Sequence, residues 1–206
     1  EPVASSASLL VLRVIETLAA GGGDGAPAFA VNASMASNLY AGLYTDTGGF
    51  RFPNTLPLSF EAAGRLVAAG ADAAEVAERT LHERTPASLA LLARVLDTFE
   101  YHHGGRLLSL RVTRAMLAAT GTVMADTEQF TGLASAVRGV RFVVFLKERE
   151  DGAWRVSLRT DAAGDVHAAA SRRGGGGHRQ AAGCTLAGDP ATLVAELVAE
   201  LAPQLD

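Results

Sequence analysis

Three short stretches of this chain carry residues whose types and spacing can do chemistry. The first is Gly174-Gly175-Gly176-Gly177-His178, continuing as Arg179-Gln180-Ala181-Ala182-Gly183. Glycines put no side chains in the way of a ligand, and their backbone can aim several N–H groups at one anion. A short helix beginning at Ala181 or Ala182 would add its dipole to that attraction. His178 supplies a ring that can donate or accept a hydrogen bond. Four glycines by themselves describe a flexible linker more readily than a site. A linker, however, has no use for the histidine and the tight run of small residues that follow.

The second stretch is Val156-Ser157-Leu158-Arg159-Thr160. Arg159 closes an alternating strand, where a guanidinium can reach over the sheet edge and meet a phosphate with two parallel N–H groups. Alone it would be an ordinary solvated strand-end arginine. About fifteen residues separate it from the glycines, room for a strand end, a turn and a second short element. The third stretch runs Leu43-Tyr44-Thr45-Asp46-Thr47-Gly48-Gly49-Phe50-Arg51-Phe52-Pro53-Asn54. A carboxylate directly after an apolar helix, followed by Thr and two glycines, suits a rigid loop in which Asp46 ligates a hard divalent cation. The competing reading is an aspartate that caps a helix or closes a turn.

These stretches need elements to hold them. Leu9, Leu10, Leu12, Val14, Ile15 and Leu18 recur at helical spacing, predicting a helix from Ser8 to Ala20 with Ser5 or Ser6 as its cap and Gly21-Gly22-Gly23 as its stop. Further helices are expected from Ala33 to Tyr44, Ser59 to Gly70 and Ala73 to Glu83. After Thr85-Pro86, a helix from Ala87 to Phe99 reads as a connection between two domains. From Gly104 the texture changes. Arg106 to Thr113 and Val140 to Leu146 read as strands, the second apolar enough to be buried. Trp154 to Arg159 alternates, with Trp154, Val156 and Leu158 on one face, and Asp151-Gly152 makes a hairpin turn before it. Thr127 to Arg138 and Pro190 to Leu201 are expected helices. The predicted division is residues 1–81, a linker helix and turn over 82–104, and a mixed-sheet domain over 105–206.

Composition sets outer limits. Of 206 residues, 49% are hydrophobic and 19% charged, a globular balance, and the net charge is −4. An acidic chain argues against a broad electrostatic grip on long nucleic acid, though not against a local pocket for one or two phosphates. The single cysteine, Cys184, excludes an internal disulfide and fits a reducing, cytoplasmic setting. No apolar run is long enough to span a membrane. The opening Glu1-Pro2-Val3-Ala4-Ser5-Ser6 has neither an initiator Met nor the basic and apolar regions of a signal peptide. It reads as the interior of a longer chain.

Taken together, the three stretches resemble the DHH phosphoesterases, most closely the oligoribonuclease and pAp-phosphatase branch. In that family the first domain ends in a Thr-Asp-Thr-Gly-x-Phe segment whose aspartate binds metal, and Asp46 matches it. The DHH-associated domain carries a Ser-Leu-Arg-Ser strand end and a Gly-Gly-Gly-His loop that bind substrate; here these are Ser157 to Thr160 and Gly175, Gly176, Gly177 and His178. The resemblance implies an α/β chain: the mostly helical end of a DHH lobe, then a smaller mixed-sheet DHH-associated domain. It also implies two Mn2+ ions, a cleft between lobes, substrates among short oligonucleotides or nucleotide phosphates, and a homodimer as the common assembly.

The departures are specific. The family's early aspartates and its Asp-His-His triplet are absent, so Asp46 alone cannot hold two metals. The resemblance therefore assigns this portion one metal ligand and the substrate grip, and expects no useful hydrolysis unless an N-terminal lobe is supplied. Tyr101-His102-His103 has tyrosine for aspartate, follows the Asp46 segment and falls in an expected turn, so it is not a displaced triplet. Thr160 replaces serine, and Gly132 stands where asparagine is expected. Two other classes remain open: a nucleotide-binding module without a reaction, and an RNA-binding accessory domain like those attached to alanyl-tRNA synthetases.

Overall fold

A computed structural model describes residues 4–21, 30–82 and 84–205. It divides into two compact units, Glu1–Glu83 and Arg84–Asp206. In the first unit, α1 (Ala7–Gly21), α2 (Ala33–Asp46), α3 (Pro57–Ala68) and α4 (Ala73–Ala77) surround one apolar cluster. Leu9, Leu12, Ala36, Tyr40, Leu43, Ala62 and Leu66 form its interior. The helices start where their caps dictate. The Ser6 hydroxyl accepts the Leu9 N–H, Asn32 accepts that of Met35, and Asp72 accepts that of Glu75. Helices α1 and α2 meet at Gly42, where a methyl group would lie 2.1 Å from Ser8 Oγ. Of the expected α1 stop, Gly22 and Gly23 lie outside the described residues. The helix expected from Ala73 to Glu83 is instead a short α-helix followed by a π-turn over Glu78–His82.

The second unit is built on a six-stranded sheet in the order β1-β2-β3-β4-β6-β5. Its strands are β1 (Glu100–His102), β2 (Leu107–Val112), β3 (Phe142–Glu148), β4 (Trp154–Thr160), β5 (Gly176–His178) and β6 (Ala181–Leu186). Only β2 and β3 run parallel; their crossover contains α6 (Arg114–Thr120), a 3-10 turn and α7 (Phe130–Ser135). Where the sequence predicts a single helix from Thr127 to Arg138, the structure has the shorter α7, preceded by the 3-10 turn over Met124–Thr127. Strands β3 and β4 form the anticipated hairpin, closed by the Arg149 N–H on the Ala153 carbonyl, with Gly152 at φ 78°. Helix α5 (Pro86–Leu96) packs Leu91 and Val95 into this unit's own core.

Strand alternation sorts the sheet into two faces. On one face Phe142, Val144, Leu146, Trp154, Val156, Leu158, Ala182 and Cys184 pack against α8 (His167–Ser171) and α9 (Pro190–Leu201). On the other, Leu108, Leu110, Val112, Val143 and Phe145 pack against α5 and α7. That second covering lies over β2 and β3, and α7 also reaches β4. The same face of β4, β6 and β5 carries a different set of residues, and those matter for function. Among the described residues no helix is long and apolar enough to cross a membrane.

Candidate functional site

The site in the second unit follows from register. Arg159 pairs with Ala181, which pairs with His178; Ser157 pairs with Gly183, which pairs with Gly176. Directly opposed residues share a face. Arg159, Ser157, Gly183, Gly176, Ala181 and His178 therefore share the face opposite the Trp154–Leu158–Ala182 core. The result is a groove of about 470 Å³ with Arg159 and Ser157 on one side and a glycine–alanine floor. Register places Arg159, Gly176 and His178 on one face; Arg159 and Gly176 line the groove and His178 does not.

The structure corrects two expectations about how they meet. Ala181 and Ala182 begin no helix: they open β6, so no helix dipole faces the site. Nor is the glycine run a loop cradling an anion with its N–H groups. Gly174 and Gly175 donate theirs to the Ser171 and Ala170 carbonyls, and Gly176 to His178 form an edge strand. The glycines serve chiefly by lacking side chains, and for different reasons. A methyl group at Gly175 would lie 2.1 Å from the Gly183 carbonyl oxygen, and one at Gly177 would lie 2.5 Å from that of Ala181. Gly174 and Gly177 also sit at φ 71° and 139°. At Gly176 a methyl would meet nothing within 4 Å, and the backbone is not left-handed. Neither the packing nor the backbone requires a glycine there.

Arg159 is half-buried, and burial lowers its pKa from the usual arginine value. Its side chain makes one hydrogen bond, from Nη1 to the Leu158 carbonyl at 3.0 Å. A guanidinium has about five N–H donors, so most of its capacity is unspent among the described residues. The charge is partly desolvated and lacks a carboxylate partner among the described residues. His178 is exposed and makes no side-chain hydrogen bond among the described residues. Thr160 points to the other face, beside Gly164 and Phe142, and its buried hydroxyl has no hydrogen-bond partner among the described residues. Gly132 lies within α7, with open space where a side chain would project.

Sequence reading misses Arg155 and Lys147. Arg155 lines the same groove, and Lys147 pairs with it across β3 and β4. The signal is available: once Trp154, Val156 and Leu158 are placed in the core, Arg155, Ser157 and Arg159 must share the opposite face.

In the first unit Asp46 is the last residue of α2 and is exposed. Its carboxylate accepts no hydrogen bond among the described residues, which removes the capping alternative. A negative charge at a helix C-terminus also opposes the macrodipole. The surroundings are firmly built. The buried Thr47 hydroxyl donates to the Leu43 carbonyl at 2.7 Å and accepts the Phe50 N–H at 3.2 Å. Asn54 Nδ2 donates to the Asp46 and Ser5 carbonyls, both at 3.1 Å. Gly48, Gly49 and Phe50 are consecutively left-handed, and a methyl at Gly48 would strike the Phe52 ring at 2.4 Å. Among the described residues no three His, Cys, Asp or Glu side chains converge on a point. The described residues therefore do not make up a two-ion centre; Asp46 offers one oxygen donor. His102 is part of β1, its Nε2 2.9 Å from Ser109 Oγ, and burial lowers its pKa.

Residues 112–204 match the model of the DHHA1 domain. The bifunctional oligoribonuclease and PAP phosphatase NrnA of Thermus thermophilus is 38% identical over 156 residues, covering 76% of this chain and 46% of that protein. The protein of the same name from Bacillus subtilis is 27% identical over 157 residues, covering 76% and 49%. The chain thus spans about half the length of these curated relatives. A solved exopolyphosphatase-related protein from Bacteroides fragilis shares the fold, with a TM-score of 0.85 over 98% of this chain and 57% of that one, at 23% identity.

Proposed function

The chain belongs to the DHH phosphoesterase family, with a DHHA1 domain at residues 112–204, and from that premise we propose that it is the substrate-holding portion of a manganese-dependent enzyme. The substrates are short oligonucleotides or pAp-like nucleotides, as the names of the relatives suggest. The observation that carries the reading is Arg159: a half-buried guanidinium with one internal hydrogen bond, set beside a floor of glycine and alanine. A phosphate reaching it would gain charge-assisted hydrogen bonds from donors already partly stripped of water. The flat floor of Gly176, Gly183 and Ala181 would take a ribose or base against it, and His178 would bond that ring's polar edge. Binding energy gathered there would position the scissile phosphate elsewhere on the substrate.

Manganese would supply charge neutralisation and an activated water. The described residues do not form that centre by themselves, so their contribution is limited to Asp46 as one ligand. Other ligands, an N-terminal lobe and a homodimeric assembly belong to the same proposal, as does a cytoplasmic location.

Calorimetric titration of the 206-residue chain with 5′-AMP tests the reading. Binding is expected in the wild type, to be lost in Arg159→Ala and weakened in His178→Ala. Binding indifferent to Arg159→Ala would refute it. With Mn2+ and a labelled dinucleotide, the chain alone is expected to show no multiple-turnover hydrolysis.

A further inference from the structure

We propose that the groove continues past Arg159 as a short phosphate track along β4 to the paired cations Arg155 and Lys147, so that this domain grips a strand of two or three nucleotides. The inference rests on the mononucleotide reading of the Arg159 end and extends it to the next phosphates.

Register again provides the geometry. Arg155, Ser157 and Arg159 share one face of β4, and Lys147 opposes Arg155 on β3. Four residues of strand separate Arg155 from Arg159 by about 13 Å of backbone, while cross-strand partners sit about 5 Å apart. One phosphate held at Arg159 therefore leaves the Arg155–Lys147 pair free for another. Both cations lack a carboxylate partner within salt-bridge distance among the described residues. Arg155 is exposed, and Lys147 Nζ lies 4.9 Å from the centre of the Phe145 ring. Burial lowers the pKa of Lys147, and Arg155 and then Arg159 push it the same way, against Glu128. Three cations share this face, with Glu128 and the Phe145 ring offsetting only Lys147, and an anion lying along them would relieve their mutual repulsion.

Arg155 lines both this groove and a second one of about 760 Å³ beside α6, which Lys147 also lines. The track is bounded. Beyond Lys147 come Glu148, whose carboxylate accepts the Arg114 N–H, and Arg149, already paired with Asp151 at 3.2 Å. A positive stretch that ends at an acidic hairpin suits a few phosphates and not a long strand. On β6, Thr185, Gly183 and Ala181 lie opposite Arg155, Ser157 and Arg159. This strip of small residues admits flat rings beside the cations, which an acidic peptide would not need.

The test compares 5′-phosphorylated adenosine mono-, di- and trinucleotides, titrated into the full 206-residue chain, its Arg155→Ala variant and its Arg159→Ala variant. The trinucleotide is expected to bind roughly tenfold tighter than the mononucleotide, the scale of one charge-assisted hydrogen bond. Arg155→Ala should erase that advantage, with a smaller effect on mononucleotide binding than Arg159→Ala has. It should also reduce the salt dependence of trinucleotide binding by about 0.7 in the log–log slope for each phosphate the variant no longer holds. Equal affinity for all three lengths overturns the track, as does an Arg155→Ala effect that is the same at every length. A glutamate hexapeptide binding as tightly as the trinucleotide would also overturn the assignment to nucleic acid. Failure of the underlying reading looks different: mononucleotide binding is then missing or ignores Arg159→Ala, whatever Arg155→Ala does to the trinucleotide. No binding at any length overturns both.

Discussion

One methyl group placed on either of two adjacent glycines separates room kept for the fold from room kept for a ligand. At Gly175 the added carbon would lie 2.1 Å from the Gly183 carbonyl oxygen and 2.6 Å from Cys184 Cβ. The first neighbour is backbone in the middle of β6 and cannot swing away. Overpacking of this kind costs about 1–3 kcal/mol. At Gly176 the carbon would meet nothing within 4 Å, and no positive φ has to be given up. Alanine there restricts the unfolded chain and is expected to stabilise by about 0.4–1 kcal/mol. Gly176 nevertheless shares the groove face with Ser157 and Gly183, so its new methyl would stand where a ligand rests. If a similar overpacking cost falls on the complex, 5′-AMP affinity drops roughly fivefold to hundredfold. Trp154 is the only tryptophan and is buried in this unit's core, so its fluorescence in urea reports the unit's stability directly. Gly175→Ala should lower the unfolding midpoint. Gly176→Ala should hold or raise it while losing nucleotide binding. A Gly176→Ala variant that binds 5′-AMP as the wild type does would refute the glycine floor; one that unfolds as easily as Gly175→Ala would refute the account of why that glycine is present.

Asp46→Asn should leave thermal unfolding of the first unit unchanged or raise its stability slightly, by about 0.3–1 kcal/mol at most, because it removes a negative charge from a helix C-terminus and breaks no hydrogen bond. A marked drop in Tm would show that the carboxylate has a structural partner. In the second unit Glu200 bonds both Arg172 and Arg173; burial raises its carboxyl pKa, but those two hydrogen bonds outweigh it and the net shift is downward. A carboxylate depressed in the folded state stabilises it above the unfolded carboxylate pKa, and that contribution is lost as pH falls through the lower folded value. Acid unfolding followed by Trp154 fluorescence should therefore be less steep below about pH 4.5 in Glu200→Gln than in the wild type. Equal slopes would refute the linkage.

Much of this architecture is legible in the residues because it depends on periodicity. Trp154, Val156 and Leu158 alternate, and β4 lies where they place it; Asp151-Gly152 marks the hairpin turn; Pro190 opens α9 behind an Asp189 cap. The chemistry-bearing residues are legible by type. What escapes is structure that comes from pairing and not from pattern. Gly176-Gly177-His178 has no alternation to read, and Ala181-Ala182-Gly183 has little strand preference of its own. Each becomes a strand because β4 offers an edge to β6 and β6 offers one to β5. Expecting a loop and a helix N-terminus there follows local composition, which the tertiary context overrides. Strand β1 is missed for its length of three residues. Gly132 lies inside the expected helix from Thr127 to Arg138, of which the six residues of α7 are α-helical, the 3-10 turn ending at Thr127.

The placement of the groove residues has a consequence for how this domain tolerates change. The interior side chains Trp154, Val156, Leu158, Ala182 and Cys184 and the groove residues Arg155, Ser157, Arg159 and Gly183 come from the same two strands, sorted by parity alone. The buried face carries the stability, since α8 and α9 cover it with Val166, Ala169, Leu197 and Leu201. The open face is left with cations that repel one another and glycines that pack against nothing or only against backbone. Substitutions on odd-numbered positions of β4 should therefore shift ligand preference with little effect on folding. Those on even-numbered positions should unfold the unit before any change in specificity can be read. A register slip of one residue would exchange the two sets, placing arginine in the core and leucine in the groove. The hairpin turn at Asp151-Gly152, which sets that register, thus determines which side chains face the groove.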